Sequence, residues 1–111
     1  MTCETLPMCP ETAIPSGASF LSEPIEVGPF RQGIVFVTLA APTPEPVEVE
    51  VGISPTGYDD WKTHWSSVRT ERLEGGGMQG IRLSNFGNWL RLRVRNQNEQ
   101  EASVMAWFVG E

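Results

Sequence analysis

The side chains best equipped for chemistry are few, and their spacing limits what they can do. His64 is the only histidine, and Cys3 and Cys9 are the only thiols. A nucleophilic cysteine needs a base held beside it by the fold. Both cysteines instead lie in a proline-rich segment far from His64 in sequence. A zinc centre takes about four ligands, so His64 and two remote thiols need carboxylates or a second subunit to complete one. Two free thiols, a Cys3–Cys9 bridge and a shared metal are the three possibilities. A bridge requires an oxidising setting, whereas Met1-Thr2-Cys3-Glu4-Thr5 lacks the basic start and apolar run of an export signal. Asp59 and Asp60 are adjacent and would point apart on a strand. A working carboxylate pair would have to recruit Glu71 or Glu74. There is no Gly-X-Ser-X-Gly elbow. Gly75-Gly76-Gly77 lacks the Gly-Lys-Ser/Thr and the helix of a phosphate loop. The expectation is a protein that is not an enzyme, with no catalytic residue, no metal and no cofactor.

Two clusters are better suited to binding. Tyr58, Trp61, His64 and Trp65 fall within eight residues, beside Asp59 and Asp60. Exposed rings of this kind stack on sugars or partner proteins, because the ring face is apolar and the rim is polar. The same rings also serve to close one end of a core. Arg91, Arg93 and Arg95 alternate along one stretch, and Glu48 and Glu50 alternate along another. In a sheet, such rows attract across neighbouring strands. An anion or glycan site and a salt-sensitive subunit contact are the other uses of an arginine stripe.

The elements that must position these groups are strands. Val47, Val49, Val51 and Ile53 alternate with Glu48, Glu50 and Gly52, and Leu90, Leu92 and Val94 alternate with the arginines. Both segments have the period of a half-buried strand. Phe20 to Val27 is a candidate strand broken at Pro24, which suits an edge or a bulge. Phe30 to Ala41, Ser67 to Leu73, Gln79 to Ser84 and Ala102 to Val109 complete the set, and Tyr58 to Trp65 is strand or loop. No segment holds a helical apolar period over three turns. Seven or eight short strands between turns predict an all-β antiparallel sandwich, jelly-roll or immunoglobulin-like. The last two strands, joined by Asn96-Gln97-Asn98-Glu99-Gln100, are expected to pair as a hairpin. Residues 1–17, with Pro7, Pro10 and Pro15, read as an extended arm, and residues 18–111 as the sandwich domain.

Ile34–Leu39 and Val104–Val109 are apolar on both faces. An antiparallel strand normally shows one face to solvent, so their second faces meet either the arm or a loop, or another chain. The chain has 111 residues and a net charge of −6, enough for one core without staples. Residues 1–60 carry −8 and residues 61–111 carry +2. Net acidity disfavours a phosphate backbone as general partner. The longest apolar run, Ile34 to Ala41, is far short of the ~20 residues of a membrane helix. Neither nucleic acid nor membrane is therefore expected as a partner.

The stretch Val47-Glu-Val-Glu-Val-Gly-Ile-Ser-Pro-Thr-Gly-Tyr-Asp-Asp-Trp61, followed by Asn88-Trp-Leu-Arg-Leu-Arg-Val-Arg95, resembles a pattern of small tailed-phage virion proteins. In these, a strand ending in a turn with Gly and Trp precedes an Arg/aliphatic strand and a final apolar hairpin partner. The resemblance spans residues 47–109 and brings no site residue with it. It implies a β-sandwich acting as a head decoration or cement subunit, made in the host cytoplasm and residing on the capsid surface. Its partners would be the major capsid protein and neighbouring copies of itself, as a dimer or trimer. The expected contacts are Leu6, Met8 and Ile14 in the arm, with Met105 and Trp107 on the last strand. The alternatives are a carbohydrate-binding module using Tyr58, Trp61 and Trp65, and a tail or neck adaptor or fibre domain.

Overall fold

The computed structural model describes residues 3–74, 76–84 and 86–111, and these form nine strands and one helical turn. Met1, Thr2, Gly75 and Asn85 lie outside the described residues. The strands are β1 (Glu4–Ile14), β2 (Ser19–Leu21), β3 (Ile25–Glu26), β4 (Gln32–Leu39), β5 (Val47–Ser54), β6 (Ser66–Leu73), β7 (Gly77–Ser84), β8 (Trp89–Arg95) and β9 (Ala102–Gly110). The turn α1 (Trp61–His64) lies between β5 and β6. Sheet A has the order β1-β9-β4-β7, and sheet B the order β2-β8-β5-β6, with β3 also paired to β8. All pairs are antiparallel. The fold is an all-β sandwich, as the alternation predicts.

The core lies between the sheets. Sheet B contributes Val47, Val49 and Val51 from β5 and Leu90, Leu92 and Val94 from β8, all fully buried. Sheet A contributes Val35, Val37 and Leu39 from β4, Val104, Ala106 and Phe108 from β9, and Ile81 and Leu83 from β7. Burying a Val, Leu or Phe side chain contributes about 1.5–3 kcal/mol of transfer free energy, so the inner faces hold the sheets together. As its Pro24 suggests, the segment after Phe20 is an edge, split into β2 and β3 on either side of that proline.

Two sequence expectations are corrected. The segment expected to lie outside the sandwich as an arm is β1, an edge strand of sheet A paired along β9. Register shifts between Pro7 and Cys9 and between Cys9 and Thr12 put the consecutive Met8 and Cys9 both inside. Such bulges, with the two prolines Pro7 and Pro10, erase the period-2 signal by which a strand is recognised. The last two strands do not pair: β8 belongs to sheet B and β9 to sheet A. The Asn96–Gln100 connection therefore crosses between sheets. It is held by buried asparagines rather than by hairpin ladder bonds, since Asn96 and Asn98 are 1% and 3% exposed.

Candidate functional site

On the outer face of sheet B, the acidic and basic rows meet. The β5–β8 register sets Glu48 opposite Arg95, Glu50 opposite Arg93 and Gly52 opposite Arg91. Arg93 Nε donates to Glu50 Oε1 at 2.8 Å, and Arg95 lies 3.5 Å from both Glu48 and Glu50. The arginine stripe is thus occupied within the fold. Burial acts to raise the Glu50 carboxyl pKa, but hydrogen bonds from Arg93 and Ser67 and the charges of Arg93 and Arg95 outweigh it. The net result holds Glu50 below its ordinary value. Its contribution is therefore present above the unfolded carboxylate pKa of about 4.3 and is lost as pH falls through the lower folded value. Glu50→Gln should lower stability at neutral pH by about 1.5 kcal/mol, as for a hydrogen bond to a charged group. Denaturant midpoints of the variant and the parent should converge once Glu50 is protonated in acid. A gap that persists there would mean that Glu50 acts by packing.

The aromatic cluster folds onto the same face. Asp60 caps α1: its carboxylate accepts from Lys62 N at 3.1 Å and from the Thr63 hydroxyl at 2.7 Å. The Thr63 bond, opposed by slight desolvation and aided by the backbone amides, holds the Asp60 carboxyl below its ordinary pKa. The cap turns Trp61 and Trp65 into parallel rings with centroids 6.1 Å apart. The Arg93 guanidinium sits 4.9 Å from the Trp61 ring centre and that of Arg91 5.1 Å from the Trp65 ring centre. Gly52 makes room: a Cβ there would meet Trp61 at 2.5 Å. Arg91 is buried and donates twice to Ser22 O, at 3.0 and 2.8 Å. Desolvation lowers its pKa, against the charges of Asp59 and Glu23.

The three rings chosen from sequence are consequently unequal. Trp65 is 8% exposed and its indole N–H is taken by Tyr58 O, Trp61 is half-buried over Gly52, and Tyr58 is 63% exposed. Only Tyr58 presents an open ring, and it meets His64 edge-on at 5.0 Å. The cysteines are both free, Cys3 exposed and Cys9 buried. Burial pushes the Cys9 thiol up, partly offset by hydrogen bonds from Ala106 and Thr12. No group of three or more His, Cys, Asp or Glu side chains is gathered for a metal among the described residues.

The contacts expected on β1 are also redistributed. Met8 and Ile14 are 4% and 1% exposed and belong to the core, and Leu6 packs against it half-buried. They hold β1 onto the sandwich and are not free to grip a neighbour. Met105 and Trp107 are half-buried on the outer face of sheet A. Here β4 and β9 lie side by side at the sheet centre, and their second faces coincide. Reading from β1 to β7, the register makes the rows Thr5–Val109–Ile34–Arg82 and Pro7–Trp107–Phe36–Gly80. A third row, Met105–Thr38–Met78, runs from β9 to β7. Arg82 is the one ionisable side chain in these rows. β1 does not cover them, since it lies beside β9 in the plane of the sheet. Ile34, Phe36, Val109 and Met78 were not singled out from sequence, although the two-faced pattern of their strands was the signal that contained most of them.

No protein-family model and no curated protein matches the chain. Solved structures share its fold. The PBSX exported protein XepA superposes with a TM-score of 0.67 at 13% identity, covering 98% of this chain and 36% of that one. The chain thus spans about a third of XepA. A subunit from Bacillus endospore appendages, described as disulfide-linked pili, gives 0.62 at 12% identity, covering 97% of this chain and 86% of the other. PirA gives 0.56 at 10% identity, covering 90% and 89%. At such identities the likeness establishes a shared β-sandwich fold.

Proposed function

We propose that this chain is a structural subunit of a phage particle, in the first place a capsid decoration or cement protein, that attaches through the outer face of sheet A. The observation that carries this is the position of the apolar second faces of β4 and β9. They lie together at the centre of a sheet, hold no charge except Arg82 at the margin, and have β1 beside them rather than over them. A contiguous apolar face rimmed by polar residues marks a protein contact. Its chemistry fits an uncharged apolar patch on a shell subunit, where a modest contact is repeated by symmetry. The fold neighbours add support of a general kind, since one of them builds pili and another is exported. A carbohydrate-binding module finds less support, because Trp61 and Trp65 are engaged with Arg93, Arg91 and each other.

The test is co-sedimentation of the purified chain with heads and with tails of the phage that encodes it. Trp107→Lys places a charge at the centre of the face and should weaken retention on heads by at least about tenfold, equivalent to about 1.4 kcal/mol. Retention on tails instead of heads would make the chain an adaptor or fibre domain. Retention that Trp107→Lys leaves unchanged would remove this face from the function.

A further inference from the structure

Sheet edges expose unpaired backbone groups, and folded proteins commonly block them. Three of the four edges here are blocked. β1 carries Pro7 and Pro10 and two register shifts. β2 and β3 are three and two residues long and flank Pro24. β6 sets Arg69 opposite Val51 and Glu71 opposite Val49, so two of its charged side chains stand on the inward face. β7 has none of these features. It runs eight residues from Gly77 to Ser84, has no proline, pairs with β4 without a register shift, and carries Arg82 as its one charge. Among the described residues β4 is its only strand partner.

We infer that β7 is a pairing edge for a second copy of this chain, joined β7 to β7 in antiparallel fashion about a two-fold axis. The occupant follows from complementarity. Each of the chain's other edges is blocked, so β7 finds an open edge only in another β7, and such a contact closes on itself. A pairing centred on Gly80 sets Gly80 against its copy and Arg82 against the partner's Met78. No like charges then face each other, although the chain as a whole carries −6. The same register gives a role to Met78, which is 60% exposed on β7: the aliphatic stem of the partner's Arg82 would cover it. The two copies of sheet A would become one eight-stranded sheet with a continuous apolar outer face.

One side chain stands in the way. Arg69 Nη1 donates to Arg82 O at 3.2 Å, capping a carbonyl that points away from β4. Arg69 is 45% exposed and also paired with Glu71, so it can release that carbonyl and keep its ion pair. Because backbone groups two residues apart point the same way in a strand, Gly80 also directs its N–H and C=O to the open side.

The experiment is sedimentation velocity of the full chain over a wide concentration range. The parent should show a concentration-dependent dimer. Gly80→Pro removes an outward N–H without taking a bond from β4, and should weaken that dimer at least about tenfold. Met78→Lys and Met78→Glu, at an exposed site, keep the test open should the proline variant misfold. Opposite the partner's Arg82, the lysine should weaken the dimer and the glutamate tighten it. Arg69→Ala should also tighten it. Trp107→Lys, at the centre of the outer face, should leave it intact, which separates this edge from the shell contact proposed above. A parent that stays monomeric at every concentration overturns the inference. So does a dimer that responds equally to lysine and glutamate at position 78, or one that Trp107→Lys abolishes.

Discussion

Phe108→Ala should cost about 3–5 kcal/mol, the range for emptying a buried aromatic site. The Phe108 ring, near the end of β9, is fully buried and meets Phe30 and Phe86 edge-on, with centroids 5.6 and 5.7 Å away. Its seat is made by two glycines that face each other across β4 and β9, Gly33 and Gly110. A Cβ on Gly33 would fall 2.3 Å from Cε1 of the ring, and one on Gly110 would fall 2.5 Å from Cε2. Neither strand can move away, because each is bonded on both sides within sheet A. The alanine variant thus loses the transfer energy of the ring and leaves a cavity that the sheet collapses into only in part. With a total stability of order 5–15 kcal/mol, that is a large fraction of the whole. The converse change, Gly33→Ala, drives a methyl group into the ring and should cost about 1–3 kcal/mol by overpacking. Combined with Phe108→Leu, which vacates the two ring positions and leaves only Val109 O at 2.9 Å, it should cost less than the sum of the two. Guanidinium chloride midpoints of the four proteins in this cycle would show the coupling. A Phe108→Ala loss below about 1 kcal/mol, or strict additivity in the cycle, would rule out this seat for the ring.

That glycine pair is also a measure of what could be read from residues alone. Gly33 and Gly110 are 77 positions apart, and nothing local announces that one ring lies over both. The alternation in Val47–Ile53 and Leu90–Arg95 was legible because burial there follows a period of two over most of both segments, broken only at Gly52–Ile53 and at the buried Arg91, and the Glu and Arg rows named each other as partners. The register bears that out, residue by residue. Alternation reports which face of a strand is buried, however, and not which sheet the strand joins. The inner faces of sheets A and B carry the same kinds of residue, so the assignment of β8 and β9 to different sheets was invisible and a hairpin was the local default. In β1 the prolines and two bulges broke the period itself. The apolar second faces of β4 and β9 were visible as patterns. That the two strands are neighbours, and so form one face, is a long-range fact. The aromatic cluster was recognised from its spacing, but Gly52, which lets Trp61 lie flat on the sheet, comes from a strand away.

Asn96→Ala should cost about 3–4 kcal/mol, although it removes a small polar side chain from what looks like a solvated turn. Asn96 Nδ2 donates to Ile14 O at 3.0 Å, Gln100 O at 2.9 Å and Pro15 O at 3.3 Å, while its Oδ1 accepts from Asn98 N at 3.0 Å and Asn98 Nδ2 at 2.9 Å. Asn98 in turn accepts from Glu45 N at 2.7 Å and donates to Glu45 O at 3.0 Å. Two buried amides therefore tie together the end of β1, the connector before β5 and the crossing from sheet B to sheet A. Leaving a buried donor or acceptor unpaired costs about 1–3 kcal/mol, and the alanine orphans several at once. The exposed Gln97 lies in the same turn; Gln97→Ala should stay within about 0.5 kcal/mol. Asn96→Asp keeps the shape but sets a carboxylate against three carbonyl oxygens. That environment raises the aspartate's folded pKa above its unfolded value, because burial and the carbonyls disfavour the charged form. The cost is therefore greatest at neutral pH and shrinks as pH falls and the acid regains a proton to donate. Denaturant midpoints of Asn96→Asp should approach the parent on acidification, whereas those of Asn96→Ala should stay apart from it. If Asn96→Ala unfolds at the same midpoint as Gln97→Ala, the crossing is held by packing alone and the asparagines are incidental to it.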